Sequence, residues 1–333
     1  MTGYLIYEPW EAEKNMGFIR MFEQEGRKQG IIFSYVSAEV YRDRRPANIV
    51  LNRTRRPEVS SWCQERCGIV LHDASIVETG NDKWKTILFL LDHLEKRGTE
   101  GRLDEKWLPD TLFLPAGEKL SDSVFACVRW ENGREELQQR TLEEFLEEHP
   151  AVVIKTVSGH GGTQVRQIRA VESDCVSGYK TAGGWHRTMT DCAETALLSQ
   201  IEGFCESFPG ADVILQEEIA CRSRDVRMYI LGNRIYQGVL RRGRGDFRSN
   251  YSLGGEISAY SPTPEQRVQM EQVLQGFRGH VLGMAGMDFL LGEDGEIYFN
   301  ELEEMAGCRM LYQATDRDIV GDYVRWMRRE LCH

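Results

Sequence analysis

Apolar and polar positions along this chain alternate between two periods, and the changes of period outline its elements. Short apolar runs at 3–8, 31–36, 48–51 and 68–71 have the length of strands. Between them lie stretches of helical period: 10–29, with Phe18, Ile19, Met21 and Phe22 on its stripe, and a stretch opened by Pro57 and ending at Arg66. Strands alternating with helices at this spacing predict a parallel sheet with crossover helices, ending near residue 80. Asn81, Asp82 and Lys83 then cap and open an amphipathic helix to about Arg97, and the polar stretch 98–110 reads as a linker. A strand at 111–114, an acidic helix at 141–148 and a buried strand at 151–155 follow, the last running into the glycine-rich turn 158–162 and another strand. Residues 176–188, with turn residues and Trp185, read as a mobile loop. A helix at 189–207, strands at 213–217, 226–231 and 234–240, a basic Gly-rich loop at 241–253 and a helix from Pro264 to about Leu282 come next. Helices at 306–314 and 316–331 close the chain.

The hairpin at 286–303 organises the rest. Two apolar runs flank Asp294-Gly295, a dipeptide that favours a two-residue turn. With that turn, Glu293 faces Glu296, and counting back along the ladder sets Asp288 opposite Glu301, with Glu303 on the same face. Like charges directly opposite each other destabilise a ladder, and buried carboxylates need a counter-charge. A hard divalent cation satisfies both demands; an acidic edge facing water is the plainer alternative.

Composition narrows the partners. The chain has 333 residues, 41% hydrophobic and 28% charged, enough for two or three domains with real cores. A net charge of −11 argues against nucleic acid as the main partner. No apolar run reaches the length of a membrane span, and 1–14 has no signal-peptide core, so the expectation is a cytoplasmic protein with no membrane partner. Nine cysteines without a framework spacing fit reduced thiols, and Cys63 and Cys67, one helical turn apart, read as helix packing.

Lys155 ends an apolar strand just before Ser158, Gly159, His160, Gly161 and Gly162, where backbone amides can approach a polyphosphate. By itself this is also what a glycine-turned hairpin looks like. The succession is more telling: Lys83 at a helix start, Lys155 with its glycine loop, Gln216-Glu217-Glu218-Ile219 ending a buried strand, Asp225 and Arg227, Arg241 and the 247–255 loop, then Asp288 and the Glu301/Glu303 pair. In that order these motifs, over roughly 48–315, resemble the ATP-grasp superfamily, in particular its glutathione synthetase and ribosomal-protein glutamate ligase branch.

The resemblance implies an α/β (α+β) ATP-grasp fold: an N-terminal parallel α/β domain at 1–80, a linker helix and small lid subdomain at 81–215, and a C-terminal mixed-sheet core at 216–333. It implies that Lys83, Lys155, Ser158, His160, Gly161 and Gly162 meet ATP phosphates, and that the backbone at Gln216, Glu217, Glu218 and Ile219 meets adenine. Arg227, with Asp225, would be a phosphate-contacting arginine on the core sheet, while Arg241 and Arg248, with Asn250 and Gly254 in the same substrate loop, would meet the transferred phosphoryl group or a carboxylate substrate, as the planar guanidinium fork suits both anions. Asp288, Glu301 and Glu303 would ligate magnesium, two ions by the family pattern, with manganese as a substitute. Glu303 stands where the family has Asn, and a reading with Asn300 and Glu301 as the pair puts Glu303 outside the motif. The 172–190 insertion, with Tyr179, Trp185 and His186, matches no family segment and reads as a substrate lid.

The implied chemistry is ATP-dependent joining of a carboxylate and an amine through an acyl phosphate, with catalysis by positioning and charge neutralisation. Two alternatives are a small-molecule kinase on the same fold and a nucleotide-binding regulatory protein without turnover. Arg53, Arg55 and Arg56, with residues 8–15, stand at the carboxyl ends of parallel strands, where such sheets collect ligands. The arginines point to an acidic or peptide-carboxylate substrate, with a solvated loop as the equal alternative. The partners expected are therefore small-molecule or peptide substrates, with self-association left open.

Overall fold

The first 80 residues fold as their alternation demands. β1 (Thr2–Tyr7) lies between β2 (Ile32–Ser37) and β3 (Ile49–Asn52), and β4 (Ile69–Leu71) extends the sheet, every pairing parallel. α1 (Pro9–Lys28) and α2 (Pro57–Gln64) are crossovers that bury Ile19, Phe22 and Val59 against it. α3 (Ala74–Gly80), capped by the Asp73 carboxylate on the Ile76 amide, was not expected. At 7 residues it is too short for a period to declare itself. These observations come from a computed structural model that describes residues 1–96, 105–159, 162–169, 177–181, 184–188, 191–244 and 255–330.

α4 (Lys83–Glu95) starts where expected, with Asp82 accepting from the Lys85 amide. A second sheet follows, built from β5 (Thr111–Leu114), β6 (Val124–Glu131), β7 (Arg134–Thr141), β8 (Ala151–Thr156), β9 (Val165–Arg169) and β12 (Val213–Glu217), in the order β7-β6-β5-β12-β8-β9. α5 (Leu142–Glu148) and α6 (Asp191–Ser207) flank it, and Phe145, Leu197, Ile201 and Phe204 share its core. β6 and β7 had been passed over: in β7, which reads REELQQRT, charged and polar residues mask the alternation, while β6 reads VFACVRWE and is mostly apolar. Residues 176–188 are not a plain loop. β10 (Ser177–Thr181) and β11 (Gly184–Thr188) pair antiparallel as a separate hairpin; each strand is only 5 residues long and lacks an apolar face that would mark it.

The central sheet runs β15-β14-β13-β16-β17: β13 (Arg224–Leu231), β14 (Ile235–Arg242), β15 (Glu256–Tyr260), β16 (Met284–Leu291) and β17 (Ile297–Glu303). It is antiparallel at every described pairing, where a mixed sheet had been expected, because its neighbours are joined as hairpins or across a returning helix. That helix, α7 (Pro264–Gln275), stops short of Leu282. Together with α4 it covers one face through Leu90, Met270, Val273 and Leu274. α8 (Arg309–Ala314) and α9 (Ile319–Glu330) join α1 on the other face, where Phe22 meets Tyr323 edge to face.

The hairpin of β16 and β17 reaches the expected pairing by a different path. Its loop is not two residues long: Gly292 N–H donates to the Glu296 carbonyl, Gly295 takes a φ of 93° and donates to Gly292. Glu293 does not face Glu296 but pairs with Arg222. The ladder near the loop is therefore shifted by one, with Leu291 opposite Ile297, and a bulge beside Asp288 restores the count, so Asp288 does face Glu301.

Candidate active site

Four adjacent strands, β14, β13, β16 and β17, lay charges side by side in the sheet. Arg227 on β13 sits opposite Asp288 on β16, which sits opposite Glu301 on β17, while Arg241 on β14 faces Asp225 on β13. Arg227 donates through Nε and Nη2 to the two Asp288 oxygens, both at 2.7 Å, and its Nη1 lies 2.5 Å from Glu303. Arg241 forks onto Asp225 at 2.6 Å and also donates to Asp288 Oδ2 at 2.7 Å. Lys83 Nζ donates to the Gly159 carbonyl at 2.6 Å and lies 3.4 Å from Glu301. Lys155 Nζ donates to Asn300 Oδ1 at 2.8 Å.

The counter-charges expected from a metal are thus present as arginine. Asp288 is 0% exposed, and burial alone would raise its carboxyl, but Arg227 and Arg241 against it hold it well below the usual carboxylate range. Arg227, expected as a phosphate contact, has all three side-chain nitrogens on carboxylates, two on Asp288 and one on Glu303.

Magnesium still fits the oxygens present. Three hydrogen bonds occupy Asp288, leaving one of its four lone pairs, and Glu301 and Glu303 each keep Oε1 without a protein partner among the described residues. Hard carboxylate oxygens are what such an ion takes. Asn300 is the bulged residue, turned to Lys155, so it and Glu301 face one side of the strand end while Glu303 faces Arg227.

Two cavities flank this strand end. The smaller, about 450 Å³, runs past Lys155, Gly159, Gly162, Asn300 and the strand end Gln216 to Ile219. The larger, about 820 Å³, lies between α1, the Arg53 and Arg55 turn, and residues 301–313, with Lys14 and Asn15 on its rim. Lys83, Arg241 and Glu301 line both, so the cavities meet there. Arg56 is turned away to Glu58 and Glu8. Ser158 is exposed and lines neither cavity. His160, Gly161, Arg248, Asn250 and Gly254 lie outside the described residues.

At the far end of the smaller cavity the strand end from Gln216 to Ile219 is more occupied than the sequence suggested. The Glu217 and Glu218 amides already donate, to Asp110 and Ala151 carbonyls at 2.9 and 3.1 Å, which leaves Ile219 with the amide there that has no internal partner among the described residues. The Glu217 carboxylate is held by Lys106 at 2.5 Å, and Lys106 also meets Asp110 at 2.8 Å. His149 lies 3.2 Å from Asp110 and 3.5 Å from Glu217. Burial would raise Asp110, but His149 and Lys106 bring it to about 2. Glu218 is fastened to Gln167 and Arg169 on β9. Sequence reasoning missed Lys106, Asp110 and His149, since they come from three separate segments and match no spacing.

Lys155 is 8% exposed, and burial, reinforced by Lys83, pushes its ammonium down to about 7 despite Glu301. An unfolded chain holds that proton up to about pH 10. Between pH 7 and about 10 the unfolded state therefore binds more protons, and stability rises with pH. Lys155→Met is expected to be relatively most stabilised at pH 7 and below, on the order of 4 kcal/mol before the loss of the Asn300 contact, with the difference shrinking towards pH 10. Denaturant unfolding of both proteins across that range checks this; a pH-independent difference would contradict it.

With this geometry in hand, comparison with known proteins is specific. Residues 191–327 match the family profile described as the RimK-like ATP-grasp domain. The ribosomal protein bS6–L-glutamate ligase of Escherichia coli O1:K1 is 32% identical over 132 residues, which are 38% of this chain and 43% of that protein, and its Shigella boydii counterpart matches equally. The match thus spans less than half of those relatives. Solved structures are similar over nearly the whole chain. The D-cycloserine synthetase DcsG gives a TM-score of 0.65 at 14% identity, covering 99% of this chain and all of that one. The D-alanine–D-alanine ligase of Bacillus anthracis, solved with ATP, gives 0.60 at 11%, covering 99% and 98%. The ATP-grasp ligase PsnB, solved with a minimal precursor, gives 0.60 at 15%, covering 98% of each chain. At these identities the likeness shows the fold.

Proposed function

From the ATP-grasp fold of this chain and the RimK-like ATP-grasp domain it carries at residues 191–327, we propose that it is an ATP-dependent carboxylate–amine ligase. The observation that carries this reading is the meeting of the two cavities at Lys83, Arg241 and Glu301. A nucleotide in the smaller cavity, with its adenine at Ile219 and its phosphates towards Lys155, would end where the larger cavity begins. Lys14, Arg53, Arg55 and Arg309 line the larger cavity, which suits an anionic substrate. We assign it to an amino acid or peptide carboxylate, in keeping with the names of the relatives.

In this reading a carboxylate oxygen attacks the γ-phosphorus, the bond to the β-phosphate bridging oxygen breaks, and ADP leaves an acyl phosphate. An amine then attacks the acyl carbon, loses a proton and expels phosphate, leaving an amide. Lys83 and Lys155 offset the charge of the phosphates, and Arg241, anchored by Asp225, offers a guanidinium edge at the junction. Asp288, Glu301 and Glu303 would hold magnesium, two ions by our reading, and the metal when bound neutralises phosphate oxygens. Arg227 holds Asp288 and Glu303 in place for it.

The experiment that tests the reading is a screen of amino-acid and peptide pairs for phosphate release. Release that requires both an acid and an amine is expected; release that needs neither, or a stable phosphorylated alcohol as product, would overturn it. Lys83→Ala and Lys155→Ala are each expected to weaken ATP binding by about 1.5–3 kcal/mol, the worth of a charge-assisted hydrogen bond. Calorimetric titration with a non-hydrolysable ATP analogue measures it, and unchanged affinity would remove that lysine from the site.

A further inference from the structure

Two residues lining the larger cavity, Glu304 and Asn81, carry buried acceptors that the acid and the nucleotide do not account for. Glu304, one residue past β17, is 2% exposed, lines this cavity, and has no hydrogen-bond partner for Oε1. Asn81 lines it too. Its amide nitrogen is spent on the Arg55 and Val77 carbonyls, at 3.2 and 2.8 Å, while its buried Oδ1 has no partner. Arg53 also lines the cavity: Nη2 donates to the Met305 carbonyl at 2.7 Å, and the buried Nε is unsatisfied.

Leaving a buried acceptor unmade costs about 1–3 kcal/mol, so two in residues that line one cavity call for a donor that arrives from outside. The space is built for Glu304. A Cβ on Gly80, at the end of α3, would come within 2.7 Å of its Oε2, so only glycine lets the carboxylate lie there. The chemistry that matches two acceptors is a primary ammonium, with its three donors and positive charge. The Arg53 Nε–H alongside suits a carbonyl or carboxylate oxygen next to that ammonium.

We propose that Glu304 and Asn81 form the subsite for the incoming amine of the ligation, taken up as a primary ammonium that gives up one proton to solvent before it attacks the acyl carbon, and whose neighbouring carbonyl or carboxylate oxygen accepts from Arg53. The proposal rests on the ligase reading only in naming this amine as the second substrate. It predicts selection for compounds with a free primary amino group on the carbon next to the carbonyl, and exclusion of acylated amines, which have lost the charge and two donors.

The test is calorimetric titration of the full chain with standard L-amino acids and with their N-acetyl derivatives. At least one free amine is expected to bind, its N-acetyl form about tenfold or more weakly, and Glu304→Gln and Asn81→Ala are each expected to weaken the free amine about tenfold. If Glu304→Gln fails to fold, Asn81→Ala carries the test. No amine bound by the parent, an N-acetyl form bound as tightly as the free amine, or a folded variant as tight as the parent overturns the subsite. Failure of the ligase reading looks different: the parent chain would form no acid-dependent ADP while amine binding and its dependence on Glu304 and Asn81 persisted.

Discussion

Asp288→Ala is expected to cost about 3–5 kcal/mol of folding stability, because it strips two buried guanidiniums of their shared partner. Arg227 and Arg241 are 7% and 5% exposed, too deep for water to replace what they lose. Arg241 keeps Asp225 and Arg227 keeps Glu303, so the protein should fold, but with a lower denaturant midpoint and weakened nucleotide binding. Equilibrium unfolding in urea measures this. A loss under about 1 kcal/mol, the range of a surface ion pair, would mean that the arginines are held by something other than Asp288.

Glu301→Gln is expected to do the reverse: abolish turnover at nearly unchanged stability. Its Lys83 contact is long, 3.4 Å, and its side chain is 31% exposed, so removing the charge should shift stability by no more than about 1 kcal/mol. Activity should fall at least a hundredfold, about 2.7 kcal/mol in barrier, since Glu301 stands at the meeting of both cavities and, in the proposed reading, would offer oxygen to the metal. Glu303→Asn removes one ion pair from Arg227 and keeps an oxygen ligand, so it should stay within about tenfold of the parent. Equal loss in the two variants would contradict the division of roles between Glu301 and Glu303, and full activity in both would make the hairpin a solvated edge.

The ATP-grasp fold was legible in the sequence because its signals are local and ordered. Each lysine, glycine loop and strand end announces itself within a few residues, and their succession narrows the fold. The Asp288–Glu301 pairing was also reached, although through a two-residue turn that does not exist. The five-residue loop and the bulge at Asn300 shift the ladder by one and back again, which no count along a sequence reveals. What stayed hidden is long-range. That Arg227 and Arg241 would neutralise Asp288 depends on β13 pairing with both β14 and β16. The Lys106–Asp110–His149–Glu217 cluster and the Glu304–Asn81 pair join segments far apart in the chain. The edge strand β7 was missed because charged and polar residues mask its alternation, and β15 because three of its five residues are exposed to solvent; β6, mostly apolar, was passed over as well.

The central claim is that a carboxylate in the larger cavity takes the γ-phosphoryl group from ATP in the smaller one. Its most direct test follows oxygen: acids carrying ¹⁸O in the carboxyl group are incubated with the protein, ATP, magnesium and an amine, and the released phosphate is examined by mass spectrometry. Transfer through an acyl phosphate moves one labelled oxygen from each acid into phosphate for every amide formed. Unlabelled phosphate accompanying product, or label retained in full by the acid while ATP is consumed, would contradict it.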